Sequence, residues 1–274
     1  MIKDSLGDRM KKYEAVSKTT LVSRMPVIIR LDGCHFHTVT RGFKKPFDEV
    51  MIKTMQDTMK YLCENIQGCV LGYTQSDEIT LVLVDYKELN SDAWFDYEVQ
   101  KIVSVSAALA TYAFNKFFRD RVSEFELNTN FPKDPENPRA LEAYKKVLIS
   151  GAYFDSRVFN IPKEEVTNCV YWRQKDAERN SINSLAQSLF SHKSLQGLKL
   201  NQTLTKIEQE GGVIWGNLPP TYKRGSCCIK QETVTALNDD LSPVVKVDWV
   251  IDNEIPMFKG ENREYIEKLV MVGQ

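Results

Sequence analysis

Gly72-Tyr73-Thr74-Gln75-Ser76-Asp77-Glu78-Ile79-Thr80-Leu81-Val82-Leu83-Val84 is the stretch that decides the fold of this chain. Its two β-rich runs are joined by a short polar link, which is typical of a hairpin. A second apolar run, Val27-Ile28-Ile29-Arg30-Leu31-Asp32-Gly33, lies earlier in the sequence and also ends in a carboxylate. If the two runs are neighbouring strands, Asp32, Asp77 and Glu78 converge. Oxygen ligands of this kind suit Mg²⁺, whose coordination shell is commonly completed by nucleotide phosphates.

The elements around these runs follow the order strand, helix, strand, strand, helix, strand. Apolar spacing predicts helices over 48–65 and 94–121, and strand-like composition predicts a fourth strand over 151–159. This order is the ferredoxin-like split βαβ pattern, an antiparallel sheet with two helices on one face. Polymerase palms and nucleotide cyclases use the same frame. The sequence therefore predicts an α+β fold with a polymerase- or cyclase-type palm.

The chain divides into two predicted regions. Residues 1–162 form the palm, with a short N-terminal helix and a polar insertion over 122–148 that contains Pro132, Pro135 and Pro138. Residues 163–274 form a C-terminal region packed on the palm, mainly helical to about residue 212 and then irregular, with a late strand over 244–250.

The composition indicates an ordered protein that remains inside the cell. Of 274 residues, 42% are hydrophobic and 27% charged, which is enough to bury a core. Because the sequence has neither a membrane-spanning apolar run nor the apolar core of a signal peptide, we expect a cytoplasmic location without membrane association. The six cysteines form no CxxC pair, so reduced thiols are expected instead of a disulfide or zinc framework.

The charge is segregated along the chain although the net charge is only −1. Residues 1–50 and 171–230 are basic, whereas 64–98 and 231–274 are acidic. The small net charge argues against indiscriminate binding of nucleic acid, while the segregation is compatible with one basic face that contacts phosphates.

Several basic and aromatic residues are candidates for nucleotide or RNA contacts. Lys44, Lys45, His35 and His37 follow the first strand, and such groups bind phosphate oxygens, although a surface loop also accumulates lysines without a function. Lys101 is expected on the sheet-facing side of its helix, where a lysine needs an anionic partner.

The later stretch Tyr171–Asn183 combines aromatic side chains with Arg, Lys, Gln and Asn, and Tyr222-Lys223-Arg224-Gly225 is a basic turn. Such side chains stack on bases and bind phosphates, but they are also compatible with a helix that packs on the palm.

Five motifs occur in a fixed order. They are Arg30-Leu31-Asp32-Gly33 followed by Phe36-His37, Lys45-Pro46 with Asp48, Gln75-Ser76-Asp77-Glu78, Trp172-Arg173-Gln174 with Asp176, and Tyr222-Lys223-Arg224-Gly225. Together they resemble the tRNA-histidine guanylyltransferase superfamily of 3′-to-5′ polymerases, over about residues 30–225. The opening Leu6–Glu14 is similar to the bacterial guanylyltransferase-like branch.

The resemblance implies an enzyme, a nucleotidyltransferase that extends the 5′ end of tRNA. It implies two Mg²⁺ held by Asp32, Asp77 and the carbonyl of Gly33, with support from Glu78, and it implies ATP or GTP as substrates and a homotetramer. Family members activate a tRNA 5′-monophosphate with ATP or GTP, and the 3′-hydroxyl of an incoming nucleotide then attacks the activated end. No DNA partner is expected.

On this basis we assign three groups of site residues. The catalytic residues are Asp32, Asp77 and Glu78. The nucleotide-binding residues are Gly33, Cys34, His35, Phe36, His37, Lys45, Asp48, Ser76 and Lys101. The tRNA-binding residues are Trp172, Arg173, Gln174, Arg179, Asn180, Lys223 and Arg224.

One departure from the family pattern bears on the reaction. Eukaryotic members carry a His-Ile-Asn-Asn run after the Trp-Arg-Gln segment, where this chain has Glu178-Arg179-Asn180-Ser181-Ile182-Asn183. The difference favours template-dependent repair of 5′-truncated tRNA over obligatory addition of G to tRNA-His. Two other hypotheses remain at this stage, a nucleotide cyclase and a non-catalytic tRNA-binding protein.

Overall fold

The computed structural model describes residues 5–128, 134, 136–237 and 243–273. Within these residues one antiparallel sheet has the strand order β4-β1-β3-β2-β5-β6. Its strands are β1 Val27–Gly33, β2 Cys69–Gln75, β3 Glu78–Leu83, β4 Phe154–Asn160, β5 Ser226–Leu237 and β6 Pro243–Asp252.

The first four strands form the predicted ferredoxin-like frame. β1 lies between β3 and β4, and β2 pairs with β3 on its other side. Gln75 pairs with Glu78, so the hairpin loop consists of Ser76 and Asp77 alone, with Ser76 in the left-handed region at φ 51°. A two-residue loop of this kind holds its side chains at a defined place at the edge of the sheet. The predicted α+β palm is therefore confirmed.

The helices occupy the stretches between and after these strands. They are α1 Ser5–Ala15, α2 Phe36–Val39, α3 Glu49–Asn65, α4 Val99–Leu127, α5 Asn137–Ser150, α6 Val166–Leu189, α7 His192–Leu195, α8 Leu200–Gly211, α9 Pro220–Arg224 and α10 Glu264–Val270. Short 3₁₀ helices cover 94–97, 163–165, 215–217 and 260–263.

Both faces of the sheet are covered by helices. On one face, Ile29 and Leu31 belong to a core with Met59 of α3 and Phe114 of α4. On the opposite face, Ile28 packs in a second core with residues of α6 and α10. Because side chains alternate along a strand, Asp32 lies on the same face as Ile28. The C-terminal region therefore adds a third layer on the face that carries Asp32.

Two stretches differ from the sequence prediction. Strand β5 was not foreseen, because the region after residue 212 was expected to be irregular apart from the late strand that became β6. Only residues 226–228 of β5 pair with β2, and the rest of its ladder is with β6 alone. The expected 122–148 insertion consists of the end of α4 and most of α5, which begins near Pro138. Pro132 and Pro135 lie outside the described residues.

Two further expectations from composition can be compared with the structure. None of the helices in the described ranges is both long and apolar enough to cross a membrane. All six cysteines are free thiols, and Cys63, Cys69, Cys227 and Cys228 are buried.

Candidate active site

Asp32 and Asp77 meet at one edge of the sheet. Asp32 stands at the end of β1 opposite Glu78 of β3, and Asp77 is the second residue of the adjoining hairpin loop. The Gly33 N–H donates to the Asp77 carbonyl oxygen at 3.0 Å, so the end of β1 is tied directly to the loop. The sequence prediction that the two acidic segments lie on neighbouring strands is confirmed by this register.

The carboxylates form a region of concentrated negative charge. Burial raises the pKa of Asp77, the hydroxyl of Ser76 lowers it by donating at 2.9 Å, and the charge of Asp32 raises it again. Burial also raises the pKa of Glu78, with opposing contributions from Arg173 and Arg30 and further increases from Asp32 and Asp77. A bound cation would relieve this mutual repulsion.

The donor set fits magnesium bound together with a nucleotide. Among the described residues, no group of three or more His, Cys, Asp or Glu side chains is placed to hold a metal ion. Mg²⁺ commonly binds through one or two carboxylates and the substrate phosphates, without an all-protein cage. Gly33 allows the Phe36 ring to pack directly against the end of β1, since a Cβ there would lie 2.2 Å from that ring. Asp32 and Asp77 thus offer what a phosphate-bridged ion requires.

Glu78 is directed towards α6. Its Oε2 accepts from Arg173 Nη1 at 3.2 Å, and Arg173 Nη2 contacts Asp176 at 3.1 Å. Both side chains of the Glu78–Arg173 pair are buried. Glu78 Oε1 has no hydrogen-bond partner in the described part of the chain, and neither do the nearby Arg30 Nε and Thr80 Oγ1. Glu78 therefore joins the sheet to α6 and keeps one oxygen for water or an ion.

A pocket of about 570 Å³ opens beside Asp77. Its basic side chains are Lys44, Lys45, His37 and Arg224, which suits a polyphosphate. Ten of the predicted site residues line it, namely Gly33, His35, Phe36, His37, Lys45, Asp48, Ser76, Asp77, Asn180 and Arg224. The structure thus brings most of the predicted nucleotide-binding residues together with the carboxylates.

Two of the residues that line the pocket are already engaged in structural contacts. Asp48 caps α3 by accepting from Met51 N, and it also accepts from Lys44 N and from the Tyr144 hydroxyl. Phe36 is buried, with its ring 5.4 Å from that of Phe114. Asp48 and Phe36 therefore shape the pocket wall, and their contact with nucleotide stays a prediction.

Two further predicted nucleotide-binding residues lie elsewhere. Cys34 lies outside the pocket, with its thiol 4.0 Å from Asp155 Oδ2. Lys101 is exposed and forms an ion pair with Glu98 at 3.7 Å, so its predicted position against the sheet is wrong. The start of α4 is hydrogen-bonded to residues 19–21, which precede β1 in the sequence. Lys101 therefore lies near the end of the sheet where β1 begins, whereas Asp32 lies at the other end.

The predicted tRNA-binding residues of α6 and α9 separate into buried and exposed groups. Gln174 is fully buried and bonds to the Pro256 carbonyl and the Phe258 N–H, and Lys223 is buried with its ammonium donating to the Gly216 carbonyl. With Arg173, these three are buried and bonded inside the protein, and their contact with tRNA stays a prediction. Trp172, Arg179, Asn180 and Arg224 retain exposed surface.

Trp172 is the most accessible of the aromatic candidates. Trp172 is 56% exposed, and the centre of its ring lies 3.7 Å from the guanidinium carbon of Arg173 and 5.9 Å from that of Arg30. Arg179 is paired with Asp176 on the same helix. An aromatic surface held in place by cations is suited to stacking against a base.

Sequence reasoning missed three features of the site. Asp155 of β4 stands in register with Asp32, and Arg157 follows two positions later on the same face. Tyr222 stacks on Phe47 at 4.5 Å between ring centroids and bonds to Glu49, forming an aromatic wall of the pocket. The alternation of side chains along the predicted fourth strand indicates that Asp155 and Arg157 share one face. Their position beside Asp32, however, follows only from the register between β1 and β4.

Comparison with known proteins agrees with this geometry. The family described as tRNAHis guanylyltransferase (Thg1) matches residues 7–162. An uncharacterized protein of Acanthamoeba polyphaga mimivirus is 32% identical over 247 residues, which is 84% of this chain and 79% of that protein.

Two solved structures also match over nearly the whole length. A bacterial tRNA(His) guanylyltransferase (Thg1)-like protein in complex with ATP is 38% identical, with a TM-score of 0.77 over 97% of this chain and 99% of that one. A complex of such a protein with GTP is 36% identical, with a TM-score of 0.75 over 98% and 100% of the two chains. The resemblance between the five motifs and this family is thereby confirmed.

Proposed function

The chain belongs to the tRNA-histidine guanylyltransferase family, and from this premise we propose that it adds nucleotides to the 5′ end of tRNA in a template-dependent 3′-to-5′ reaction. The observation that carries the proposal is the convergence of Asp32 and Asp77 beside a pocket lined by Lys44, Lys45 and Arg224. The complexes of two similar bacterial proteins with ATP and GTP support the choice of nucleotide.

The proposed reaction has two phosphoryl-transfer steps. In the first, the 5′-phosphate of the tRNA attacks the α-phosphate of ATP or GTP, and pyrophosphate leaves. In the second, the 3′-hydroxyl of an incoming nucleoside triphosphate attacks the activated 5′-phosphate, and the nucleoside monophosphate leaves. Two Mg²⁺ bound by Asp32, Asp77 and the Gly33 carbonyl would activate the attacking hydroxyl and neutralise charge on the leaving group.

The other residues of the site position the phosphates and the carboxylates. Lys44, Lys45 and His37 would bind the triphosphate, since ammonium groups act as point charges towards phosphate oxygens. The Ser76 hydroxyl fixes one oxygen of the Asp77 carboxylate by donating to it. Arg173 donates to the Glu78 carboxylate and directs it towards α6. The Glu78 carboxylate is thereby kept from turning into the phosphate site.

We favour repair of 5′-truncated tRNA over dedicated addition of G to tRNA-His. The run Glu178–Asn183 takes the place of the His-Ile-Asn-Asn motif, and its Asn180 and Ser181 line the pocket. In template-dependent addition, Watson–Crick pairing with the opposite strand selects the base, so the protein has little need to read sequence.

The test is extension of a tRNA that lacks its first 5′ nucleotide, with all four nucleoside triphosphates and Mg²⁺. The expected product is one nucleotide longer and complementary to the opposite base. Asp32→Asn and Asp77→Asn should each slow the reaction at least about a hundredfold, because a lost metal ligand forfeits several kcal/mol of transition-state stabilisation. Asp120→Asn, an exposed acidic residue of α4, is the matched control and should retain full activity.

The same assay separates the rival functions. Cyclisation of ATP or GTP without RNA, and no extension, would identify a cyclase. Normal tRNA binding that is indifferent to Mg²⁺ and to Asp77→Asn, again without extension, would identify a binding protein. We also propose that the protein forms a homotetramer, which light scattering of the purified protein would test. Its proposed location is the cytoplasm.

A further inference from the structure

A second cavity lies next to the active-site pocket, with His35 on the wall of both. It has a volume of about 720 Å³ and runs between the loop that follows β1, one side of α5 and the segment 150–153 that leads into β4. We refer to this cavity as the α5 groove. Of the residues assigned a role above, Cys34 and His35 alone line it.

The α5 groove is basic in a protein whose net charge is −1. Arg41, Arg139 and Lys146 line it, opposed by the single carboxylate of Glu142. In the described residues, none of these three cations takes part in an ion pair, whereas Lys145 on the same helix is paired with Glu126 at 3.2 Å. Unpaired cations grouped along one groove indicate a site for an anionic partner.

The cations are spread along the groove and do not converge on one point. Arg139 and Lys146 are seven residues apart on α5, two helical turns, or about 10 Å along the helix axis. One strand of a helical nucleic acid carries a phosphate about every 3.4 Å along the helix axis, so the two cations face phosphates about three nucleotides apart. The spacing fits a row of successive phosphates along a strand better than the compact phosphates of one triphosphate.

An aromatic residue stands where the groove meets the catalytic strand. The side chain of Tyr153 is 58% exposed and lines the groove. Its carbonyl oxygen accepts the Cys34 N–H at 2.9 Å, and Cys34 is two residues after Asp32 in the sequence. This bond holds Tyr153 close to the carboxylate end of β1. An exposed ring beside a row of cations is typical of sites that bind single-stranded RNA by stacking and phosphate contacts.

We propose that the α5 groove binds the phosphate backbone of the RNA strand whose 5′ end lies at Asp32, with Tyr153 stacking on a base close to that end. This inference rests on the proposed function, since it names the surface that guides the RNA to the same site. Arg139 and Lys146 are positioning residues for the RNA strand and have no contact with the incoming nucleotide.

The test measures tRNA affinity of the full-length protein as a function of salt concentration. For Arg139→Gln with Lys146→Gln, tRNA should bind at least about tenfold more weakly, and the slope of log K against log salt should flatten by about 1.4 to 1.8, or 0.7 to 0.9 per lost phosphate contact. Tyr153→Ala should weaken tRNA binding with little change in the salt slope. Lys145→Gln, whose lysine is already paired with Glu126, is the matched control and should match the wild type.

The outcomes distinguish the two levels of inference. Unchanged tRNA affinity and salt slope in the double variant, with intact circular dichroism, would overturn the groove assignment even if the wild type extends tRNA. A raised KM for ATP or GTP with unchanged tRNA affinity would also overturn it, since the groove would then hold a nucleotide. If the wild type binds tRNA through the groove but never extends it, the proposed function fails and the groove assignment stands.

Discussion

Gly33 shows how one missing atom sets the geometry of the candidate site. A Cβ at this position would lie 2.2 Å from the Phe36 ring, and that ring is held between the rings of Phe114 and Phe154. The Gly33 N–H also donates to the Asp77 carbonyl, so the backbone cannot retreat without separating β1 from the hairpin loop. A side chain at this position would therefore distort the edge of the sheet that carries both carboxylates.

We expect Gly33→Ala to destabilise the protein by about 1–3 kcal/mol, the usual cost of overpacking a filled core. Extension of tRNA should fall together with stability, because relief of the clash moves Asp32 relative to Asp77. Urea unfolding and the extension assay measure the two effects. Gly216→Ala is the control, since a Cβ there would have no neighbour within 4 Å. Equal behaviour of the two variants would contradict the geometric role of Gly33.

Residue types indicated the chemistry of the site more reliably than they indicated the orientation of each side chain. The convergence of Asp32 and Asp77 was predictable because both acidic segments belong to one strand frame, although each Asp taken alone is equally typical of a turn. Lys101 was misplaced because helical spacing alone does not show which side of a helix faces the sheet. Asp48 was predicted to contact nucleotide, but its oxygens bind Met51 N, Lys44 N and the Tyr144 hydroxyl, contacts that sequence spacing only partly reveals.

At the scale of elements, α6 has a buried face and an exposed face with different contacts. Its buried face fastens the C-terminal segment, through hydrogen bonds from Gln174 to the Pro256 carbonyl and from the Phe258 N–H to Gln174. Its outer face presents Trp172 beside the site. The sequence stretch Tyr171–Asn183 predicts either RNA binding or packing on the palm, and the structure buries Gln174 while it leaves Trp172 exposed.

This division predicts opposite effects for two adjacent substitutions. Gln174→Ala should lower the free energy of unfolding by about 2–4 kcal/mol, because it leaves buried backbone groups of the C-terminal segment without partners, while tRNA affinity of the folded protein is unchanged. Trp172→Ala should leave stability within about 0.5 kcal/mol, as is usual for an exposed position, and weaken tRNA binding. Urea titration and tRNA binding measure the pair, and weaker tRNA binding by Gln174→Ala alone would reverse the assignment.

The four palm strands were predictable element by element, whereas the final hairpin was not. β1 to β4 are buried runs with clear strand composition, and their order limits the topology to a few choices. β5 carries Lys230, Gln231 and Glu232 in a segment that pairs only with β6, so its sequence lacks the apolar alternation of a core strand. Its place in the sheet depends on contacts with β2 that are more than 150 residues away along the chain.

At the scale of the whole molecule, buried tyrosine hydroxyls join elements that are distant in sequence. Tyr73 donates to the Arg224 carbonyl, Tyr86 to the Val270 carbonyl, Tyr144 to Asp48 and Tyr265 to Asp252. Burial is the main cause of a raised pKa for each of these phenols, and nearby carboxylates raise the pKa of Tyr86, Tyr144 and Tyr265 further. The folded protein thus keeps these phenols neutral in alkaline solution.

These tyrosines predict a loss of stability in alkaline solution. A group whose pKa is higher in the folded state contributes stability that is complete below its unfolded pKa, about 10 for tyrosine, and that declines as the pH rises above that value. Each such phenol should therefore lower the free energy of unfolding by about 1.4 kcal/mol per pH unit between the two pKa values. The thiols of Cys63 and Cys227, whose pKa values burial also raises, contribute with the same sign.

Urea unfolding between pH 8 and about 11.5, under reducing conditions, measures this dependence. The wild type should begin to lose stability above about pH 8.5, where thiols ionise in the unfolded chain, and lose it more steeply above about pH 10, where phenols do. Tyr144→Phe is the informative variant because it has two effects. It removes the hydrogen bond from the Tyr144 hydroxyl to Asp48, and it removes one phenol that titrates on unfolding. It should be less stable than the wild type at pH 8, and its alkaline slope should be shallower by about 1.4 kcal/mol per pH unit. Parallel curves for the two proteins would show that the fold does not raise the pKa of Tyr144.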